Sequence, residues 1–272
     1  MTTFSTLTTR CRAPQPGPPP RFPPPGVTPV TAASAATAPV AGTDDIEIPL
    51  TNIRRITARR LVESMQNAPH FYLTTIIDAE ALLHLRAELN ERLATAGGPK
   101  ISVNDLIVKA SAVALRANPA VNVSWAGDKI LQHSRVHVGV AVALESGLIV
   151  PVIHDTDHKT ITEISAEGKA LIAKARTGKL TPDEFTGGTF TVSNLGMFGI
   201  DQCTAVINPP EAAILAVGAM TREPVAVGNK IKVRQRMKLT LSIDHRALDG
   251  ATGSRFLAHL KDLLEEPLRI LT

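Results

Sequence analysis

The sequence predicts an α/β fold, an α+β sandwich in which a mixed β-sheet packs against helices. Helical and strand patterns are interspersed over residues 44–272 without the regular alternation of a parallel-sheet protein. No glycine-rich phosphate loop follows the first predicted strand, which argues against a doubly wound nucleotide-binding fold. Hydrophobic residues make up 44% of the chain and aromatic residues only 3%, so aliphatic side chains must fill the core.

The first 43 residues differ in composition from the rest of the chain. They contain ten of the 20 prolines, together with many Ala, Thr and Ser residues. Such a segment buries too little apolar surface to offset its ordering entropy, which predicts a disordered linker. The first 25 residues also lack acidic side chains, and a targeting sequence is the alternative interpretation. The folded domain is therefore predicted over residues 44–272.

Apolar periodicity predicts the helices. Leucines from Leu82 to Leu93 recur at steps of three and four residues, which places them on one helix face. A further helix follows Ser102 and Asn104, either of which is a plausible N-cap. The predicted helices span residues 57–66, 79–94, 103–116, 161–175 and 253–264.

Runs of β-branched and aromatic residues predict the strands. Gly127-Asp128 is a tight-turn signal between two short strands. The predicted strands span residues 70–77, 121–125, 129–131, 136–143, 148–153, 188–194, 212–220 and 238–243. An apolar tail follows the last helix, over residues 263–272.

Charge and cysteine content exclude several classes of protein. The net charge is +4, but Arg10, Arg12 and Arg21 precede any acidic residue, and the remaining chain is nearly neutral. A nucleic-acid-binding protein would show a concentrated basic face. No run of about 18 apolar residues is present, so no membrane span is predicted. Cys11 and Cys203 form neither a disulfide framework nor a zinc motif, which favours a reducing compartment.

No metal site is predicted. His133 and His137, and likewise His154 and His158, are spaced four residues apart, as metal ligands on one helix face would be. The first pair adjoins a predicted strand, where residues four apart are separated by about 13 Å. The second pair lies in a polar loop. Structural or solvated histidines are therefore the better interpretation.

A strand-to-helix turn near the C-terminus carries the first chemical signal, His245. The proton affinity of histidine suits a general base near neutral pH, and the predicted strand over residues 238–243 delivers this one. Asp249 lies four residues later, where it could orient the imidazole or a nearby cation. Alone, this segment is better interpreted as a turn with a structural histidine.

The second signal is a strand that runs into a turn with two glycines, over residues 189–199, and exposes Ser193 and Asn194. No Gly-x-Ser-x-Gly elbow surrounds Ser193, so a nucleophilic serine is not predicted. Its hydroxyl is suited instead to donate a hydrogen bond to an oxyanion. Alone, this segment is better interpreted as a strand end with a polar turn.

Together with further blocks, these segments resemble the catalytic domain of dihydrolipoamide acyltransferases, the E2 core subunits of 2-oxo acid dehydrogenase complexes. The resemblance covers about residues 44–272. Its blocks are residues 48–55, 58–64, 69–73, 104–105, 145–152, 189–199, 207–210 and 244–250. Chloramphenicol acetyltransferase shares the His-x-x-x-Asp-Gly pattern but lacks most other blocks. The resemblance implies a chloramphenicol-acetyltransferase-like mixed sheet packed on helices, and a trimeric building block.

The resemblance also implies roles for the site residues. His245 would take the proton from the attacking thiol, and Ser193 of a neighbouring subunit would hold the tetrahedral oxyanion. Asp249 would be a positioning residue. Arg60 is the candidate ion-pair partner of Asp249, by analogy with the family's basic N-terminal helix.

The implied substrates are coenzyme A and a lipoyl-lysine arm, which would enter a channel from opposite ends. Asn194, Gly196 and Leu148 are the candidate residues for contact with substrate or CoA. The apolar tail would dock homotrimers into a larger cubic or icosahedral core that works with lipoyl domains, E1 and E3. The expected location is the cytoplasm of a bacterium, with the mitochondrial matrix as the alternative.

The resemblance has one departure. A full E2 subunit has lipoyl domains and a peripheral-subunit-binding domain ahead of its core, and nothing before Asp44 resembles either. The lipoyl group is therefore expected on a domain that these 272 residues do not contain. The chain is then a fragment, or it relies on lipoyl domains carried by another subunit.

The turn after Ser193 indicates the acyl group. Residues 193–199 read Ser-Asn-Leu-Gly-Met-Phe-Gly and resemble the acetyltransferase of pyruvate dehydrogenase complexes. The succinyl enzymes tend to have Thr-Asn-Gly-Gly here, and the branched-chain enzymes Ser-Asn-Ile-Gly. We therefore expect acetyl transfer between dihydrolipoamide and CoA. The alternatives are a branched-chain or other 2-oxo acid acyltransferase, a mainly structural core subunit, and an antibiotic acetyltransferase.

Overall fold

The computed structural model describes residues 44–145 and 147–271. The chain divides into two units, Met1–Ile48 and Pro49–Thr272. In the first unit, residues 44–48 are described and form neither a helix nor a strand. The predicted linker over residues 1–43 lies outside the described residues and stays a prediction. All elements below belong to the second unit.

The described residues of the second unit form five α-helices and ten strands. The helices are α1 (Asn52–Asn67), α2 (Glu80–Thr95), α3 (Val103–Ala117), α4 (Ile161–Arg176) and α5 (Gly250–Glu265). The strands are β1 (His70–Asp78), β2 (Val123–Trp125), β3 (Ile130–Gln132), β4 (Val138–Val140), β5 (Val142–Leu144), β6 (Gly147–Ile149), β7 (Val152–Ile153), β8 (Phe190–Asn194), β9 (Ala213–Val227) and β10 (Lys230–Asp244). None of the described helices has the length and apolarity needed to cross a membrane.

Six of the strands form one mixed sheet, which confirms the predicted fold class. Their order is β1-β10-β9-β8-β4-β7. β8 runs parallel to both of its neighbours, β9 and β4, and the other pairs in this sheet are antiparallel. The remaining described strands form two small sheets, β2 with β3 and β5 with β6.

One face of the main sheet packs against helices. Phe190 of β8 and Phe256 of α5 are fully buried there and meet edge to face, with ring centroids 5.6 Å apart. α5 lies so close that a Cβ added at Gly253 would be 2.8 Å from a Leu73 methyl group. Because side chains alternate along a strand, the residues of β8 next to Phe190 in sequence point to the other face.

Side-chain caps set the starts of α3 and α1, among other helices. The Ser102 hydroxyl accepts a hydrogen bond from the Asp105 N–H (3.1 Å), and the Asp105 carboxylate accepts one from the Ser102 N–H (2.8 Å). This capping box makes Ser102, and not Asn104, the N-cap of α3. α1 begins earlier than predicted because Thr51 caps it, accepting a hydrogen bond from the Arg54 N–H (3.2 Å).

The strands predicted over residues 212–220 and 238–243 are longer than expected. β9 and β10 have 15 residues each and form a hairpin with the two-residue loop Gly228-Asn229. Gly228 has a φ of 59°, the left-handed conformation that tight hairpin turns require. The outer half of the hairpin is exposed and alternates basic with apolar residues, so it lacks the apolar run of a buried strand.

Two predicted strands are interrupted. The strand predicted over residues 136–143 divides into β4 and β5, because the Ala141 N–H bonds to the Val192 carbonyl oxygen (2.9 Å) and β5 then pairs with β6 in a separate sheet. The strand predicted over residues 148–153 divides into β6 and β7. Pro151 lies at this break and has no N–H to donate to a strand ladder.

Candidate active site

A cavity of about 540 Å³ lies between α1 and the sheet face that carries Ser193. Thr191 and Ser193 of β8 and Ile214 of β9 form its floor. The remaining lining comes mainly from α1, from residues 148–150, and from residues 203–209, called here the 203–209 segment. Most lining side chains are apolar, with a few polar groups between them, as is typical of small-molecule sites.

Ser193 lies near the end of β8, as predicted, and is half-buried in the cavity wall. Its neighbour in register on β9 is Ala216, a small residue. The Ser193 hydroxyl makes no hydrogen bond with another described residue. An unpaired hydroxyl in a mainly apolar cavity can donate to a bound oxyanion.

The 203–209 segment is held in place through the backbone of Ile207. Ser64 of α1 donates a hydrogen bond to the Ile207 carbonyl oxygen (2.6 Å). His70 of β1 accepts one at Nε2 from the Ile207 N–H (3.1 Å), while its Nδ1 donates to the Ala68 carbonyl oxygen (2.7 Å). This pattern requires a neutral His70 with its proton on Nδ1. α1 and β1 therefore hold the 203–209 segment, which lines the cavity together with Ser193.

Glu211 is a buried residue of the site that the sequence reasoning missed. One carboxyl oxygen accepts a hydrogen bond from the Thr191 hydroxyl (2.6 Å), and the other from the Asn208 side-chain amide (3.0 Å). Burial raises the pKa of Glu211 to about 8, although the two hydrogen bonds act in the opposite direction. Its only sequence signal was its position after the 207–210 block, which does not reveal burial.

His245 directly follows β10 and is exposed. Its backbone N–H donates to the Pro69 carbonyl oxygen (2.9 Å), and its ring packs edge-on against Phe71, with centroids 5.2 Å apart. The preceding Asp244 is buried and pairs with Arg246 (2.7 Å). The strand end is therefore rigid, while the imidazole stays accessible for proton transfer.

Within one chain, His245 and Ser193 lie on opposite sides of the sheet. Phe71, which contacts His245, is in register with Ile243 on the helix-covered face. Ser193 is in register with Ala216 on the other face. His245 is two strands and about five residues away from Ser193, which corresponds to roughly 15–20 Å. A single chain therefore does not bring the two predicted catalytic groups together.

Asp249 is the N-cap of α5. Its carboxylate accepts a hydrogen bond from the Thr252 N–H (2.6 Å), and this bond lowers the pKa of Asp249. Within the described chain, the Asp249 carboxylate caps α5 and forms no ion pair with Arg60. The helix cap holds Asp249 beside α5, whereas Arg60 lines the cavity. Pairing of these two side chains between subunits stays a prediction.

Of the three residues predicted to contact substrate or CoA, Leu148 lines the cavity. Asn194 supports the turn after Ser193: its amide donates to the Asn104 side-chain oxygen (3.2 Å), and its own oxygen accepts from the Gly196 N–H (2.9 Å). Gly196 packs tightly on β9, where an added Cβ would be 2.4 Å from a backbone oxygen. Contact of Asn194 and Gly196 with CoA stays a prediction.

Metal binding and nucleophilic catalysis by a cysteine have little support among the described residues of the cavity. Among the described residues, no group of three or more His, Cys, Asp or Glu side chains is arranged to hold a metal ion. Cys203 lines the cavity, and burial raises the pKa of its thiol. A raised pKa disfavours the thiolate form that a cysteine nucleophile needs.

The sequence of residues 42–272 matches the family described as 2-oxoacid dehydrogenases acyltransferase (catalytic domain). This chain belongs to that family. The match includes both the Ser193 and the His245 segments of this acyltransferase domain. It also confirms the family resemblance drawn from the sequence blocks.

The acyltransferase domain is similar to dihydrolipoyllysine-residue acetyltransferase components of pyruvate dehydrogenase complexes. It is 50% identical over 224 residues to that of Zymomonas mobilis, a match that covers 82% of this chain and 51% of the relative. It is 49% identical over 243 residues to the mitochondrial component of Schizosaccharomyces pombe, covering 88% and 50%. The chain thus spans about half the length of these relatives.

Solved structures of E2 cores share the fold. Dihydrolipoamide acetyltransferase of Azotobacter vinelandii is 35% identical with a TM-score of 0.81, and the match covers 86% of this chain and 100% of that one. That structure was determined to study a serine, a histidine and an asparagine in catalysis; the serine precedes the histidine by 52 residues and the asparagine follows it by four. The cubic core of a pyruvate dehydrogenase complex matches with the same identity, TM-score and coverage.

Proposed function

We propose that this acyltransferase domain transfers an acetyl group between dihydrolipoamide and CoA, within the core of a pyruvate dehydrogenase complex. The observation that carries the proposal is the spacing of Ser193 and His245, 52 residues, which equals that of the serine and histidine studied in the Azotobacter enzyme. Asp249 follows His245 by four residues, the spacing at which the asparagine follows the histidine in that enzyme, which supports a role for Asp249. The relatives at about 50% identity are named as acetyltransferases, which supports acetyl over other acyl groups.

His245 is the general base of the proposed reaction. A free thiol has a pKa of about 8.5, so the thiol of CoA is mostly protonated at neutral pH and needs a base. His245 removes this proton, and the thiolate attacks the carbonyl carbon of S-acetyldihydrolipoamide. A new C–S bond forms, and the carbonyl oxygen becomes an oxyanion. Collapse of this intermediate breaks the original C–S bond, and His245 returns its proton to the departing thiolate.

Ser193 stabilises the oxyanion in this mechanism. Its hydroxyl has no competing partner among the described residues, and the mainly apolar cavity strengthens a hydrogen bond to a charged oxygen. Asp249 is a positioning residue, because its cap sets the start of α5 just after the His245 turn. The products of the proposed reaction are acetyl-CoA and dihydrolipoamide.

The site is proposed to form between neighbouring subunits of a homotrimer. One carbonyl group cannot contact both residues of a single chain, since they lie roughly 15–20 Å apart. The predicted Arg60–Asp249 pair would cross the same interface. The similar structure of a cubic core supports assembly of such trimers into a larger particle.

The acyl carrier is proposed to be a lipoyl group on a domain outside residues 1–272. The lipoyl arm would bring the acetyl group generated by E1 into the cavity, and E3 would then reoxidise the dihydrolipoyl group. The proposed location is the bacterial cytoplasm, with the mitochondrial matrix as the alternative. The relatives include both a bacterial and a mitochondrial protein.

The test uses the assembled chain with acetyl-CoA and free dihydrolipoamide, and follows thioester formation. Wild type is expected to catalyse transfer, and His245→Ala to lose at least about 100-fold while keeping its assembly mass. His84→Ala, an exposed histidine on α2, is the matched control. An inactive wild-type assembly would refute the proposal. Preference for succinyl-CoA or a branched acyl-CoA would indicate another complex, and transfer only to chloramphenicol would indicate an antibiotic acetyltransferase.

A further inference from the structure

A single buried carboxyl group joins two walls of the cavity. Glu211 is 4% exposed and accepts hydrogen bonds from Thr191 on β8 and from Asn208 in the 203–209 segment. Thr191 and Ser193 are two residues apart on one strand, so their side chains share a face. The two partners of Glu211 both line the cavity, whereas Glu211 itself lies behind them.

The surroundings of Glu211 leave its carboxyl group little freedom. A Cβ added at Gly188 would lie 2.8 Å from the Glu211 carboxyl oxygen, so the backbone there already packs against it. The Glu211 N–H donates to the Asn208 carbonyl oxygen (3.1 Å), and a β-bridge joins Glu211 to Ser124. A shift of this carboxyl group would therefore move β8 or the 203–209 segment.

We propose that Glu211 is a positioning residue of the acyl-transfer site, which sets the place of the Ser193 hydroxyl by tying β8 to Asn208. The inference rests on the proposed function. Glu211 acts through Thr191 and Asn208 and does not touch the reacting groups. An oxyanion donor is effective only when it is held in place before the charge develops, so a displaced Ser193 lowers kcat more than it weakens CoA binding.

The charge state of Glu211 adds a pH signature. Burial raises its pKa to about 8, so the group is mainly neutral at pH 7 and ionises above pH 8. A carboxylate beneath the cavity then repels the developing oxyanion, and kcat falls. Charged and titratable groups on the elements around it are Arg60, His133, His137, His154, Cys203 and the Asp244–Arg246 pair. None of these hydrogen-bonds to Glu211, and burial is the largest cause of its pKa shift.

The test compares four variants of the full assembled chain. Glu211→Ala removes both hydrogen bonds, Glu211→Gln keeps a neutral group of the same shape, and Thr191→Val removes one bond at constant volume. Ser165→Ala is the control, because Ser165 is a buried residue of α4 outside the cavity lining. This substitution removes the hydrogen bond from the Ser165 hydroxyl to the Lys100 carbonyl oxygen (3.1 Å).

The expected kinetic result is a selective loss of kcat. Glu211→Ala is expected to lower kcat about tenfold, with KM for CoA changed less than about twofold. Glu211→Gln should retain most of the kcat at pH 7. The wild-type kcat should fall above pH 8 as Glu211 ionises, and Glu211→Gln should lack this contribution to the fall. Thr191→Val should lower kcat about threefold. If Glu211→Ala fails to assemble, Thr191→Val serves as the test variant in its place. Ser165→Ala should have the kcat of wild type.

Backbone hydrogen exchange supplies a readout that needs no activity. Faster exchange is expected at residues 190–194 and 203–209 in Glu211→Ala and Thr191→Val, but not in Ser165→Ala. An assembled Glu211→Ala or Thr191→Val chain with wild-type kcat and wild-type exchange overturns the inference. The same holds if Glu211→Gln keeps the full alkaline decline. An inactive wild type with the expected exchange differences refutes the proposed reaction, while the positioning of Ser193 by Glu211 stands.

Discussion

The two halves of the proposed site differ in how the fold supports them. Ser193 is half-buried in a cavity whose walls are held by a hydrogen bond that Ser64 donates and by others that His70 and Glu211 accept. His245 stands exposed at a strand end, with a single ring contact at its side. The oxyanion donor is thus positioned by the interior of its own chain. His245 has its backbone fixed, and in the proposed trimer the surface of another chain would complete its surroundings.

The largest expected effect comes from removing the exposed half. His245→Ala should lower kcat by about 10²–10⁴, because it removes the general base. Its melting temperature should stay within about 2 °C of wild type, since the side chain is exposed. Acetyl-transfer kinetics and thermal unfolding of the same preparation measure both. A large drop in melting temperature would show that the His245 side chain stabilises the fold, which would contradict the contrast between an exposed His245 and a buried Ser193.

Removing the buried half should have the next largest effect. Ser193→Ala should lower kcat by about 10²–10³, the usual cost of one oxyanion donor. The KM for CoA should change little, because the hydroxyl acts mainly on the transition state. Steady-state kinetics with CoA varied measures both parameters. A loss confined to KM would make Ser193 a binding residue.

Mixing the two inactive chains tests whether the halves belong to different subunits. In mixed trimers of His245→Ala and Ser193→Ala chains, about a quarter of the sites would combine an intact histidine with an intact serine. Co-refolded or co-expressed chains should therefore recover up to about a quarter of wild-type activity. Mixing preassembled particles without exchange is the control. No recovery in verified mixed assemblies would place the site within one chain.

The buried carboxyl group should make stability depend on pH. Burial raises the folded-state pKa of Glu211 from 4.5 to about 8. Its contribution is therefore fully present below about pH 4.5 and is lost as pH rises through 8. Between pH 5 and 9, the free energy of unfolding of wild type should fall by on the order of 4 kcal/mol relative to that of Glu211→Gln. Denaturant titrations across this range measure it, and a pH-independent difference would contradict the raised pKa.

The smallest expected effect is at the helix cap after His245. Asp249→Ala should lower the melting temperature by a few degrees, because the Thr252 N–H loses its acceptor. Asp249→Asn should keep it nearly unchanged, since asparagine caps helices as well as aspartate does. Thermal unfolding above pH 6 compares the two variants. Equal losses in both would mean that the charge of Asp249, and not its cap, is what matters.

Local signals predicted much of the fold. β1 and α3 lie close to their predicted bounds, because alternation, apolar period and a capping serine are all encoded within a few residues. The outer β9–β10 hairpin was missed because its strands leave both faces exposed, so neither face forms an apolar run. The Gly228-Asn229 pair was the available signal, since such a dipeptide is typical of two-residue hairpin loops.

The candidate site divides in the same way. Ser193 and His245 lie at strand ends, as the strand and turn signals around them predicted, while their catalytic roles came from the family resemblance and stay predictions. Glu211 was not predictable, because its burial depends on Thr191, which is distant in sequence. The Arg60–Asp249 pair stays a prediction, because within one chain the Asp249 carboxylate instead accepts a local hydrogen bond from the Thr252 N–H among the described residues.

The long hairpin has a consequence for colloidal behaviour. β1 ends opposite Arg236, so among the described strands β10 has a neighbour on one side only from Lys230 to Arg234. An open strand edge can recruit edges of other chains, and charge repulsion between Lys230, Lys232 and Arg234 of two copies opposes this. Lys230→Gln with Lys232→Gln should scatter more light on warming, whereas substitution by arginine should not. We therefore expect the basic edge to oppose edge-to-edge association of separate copies.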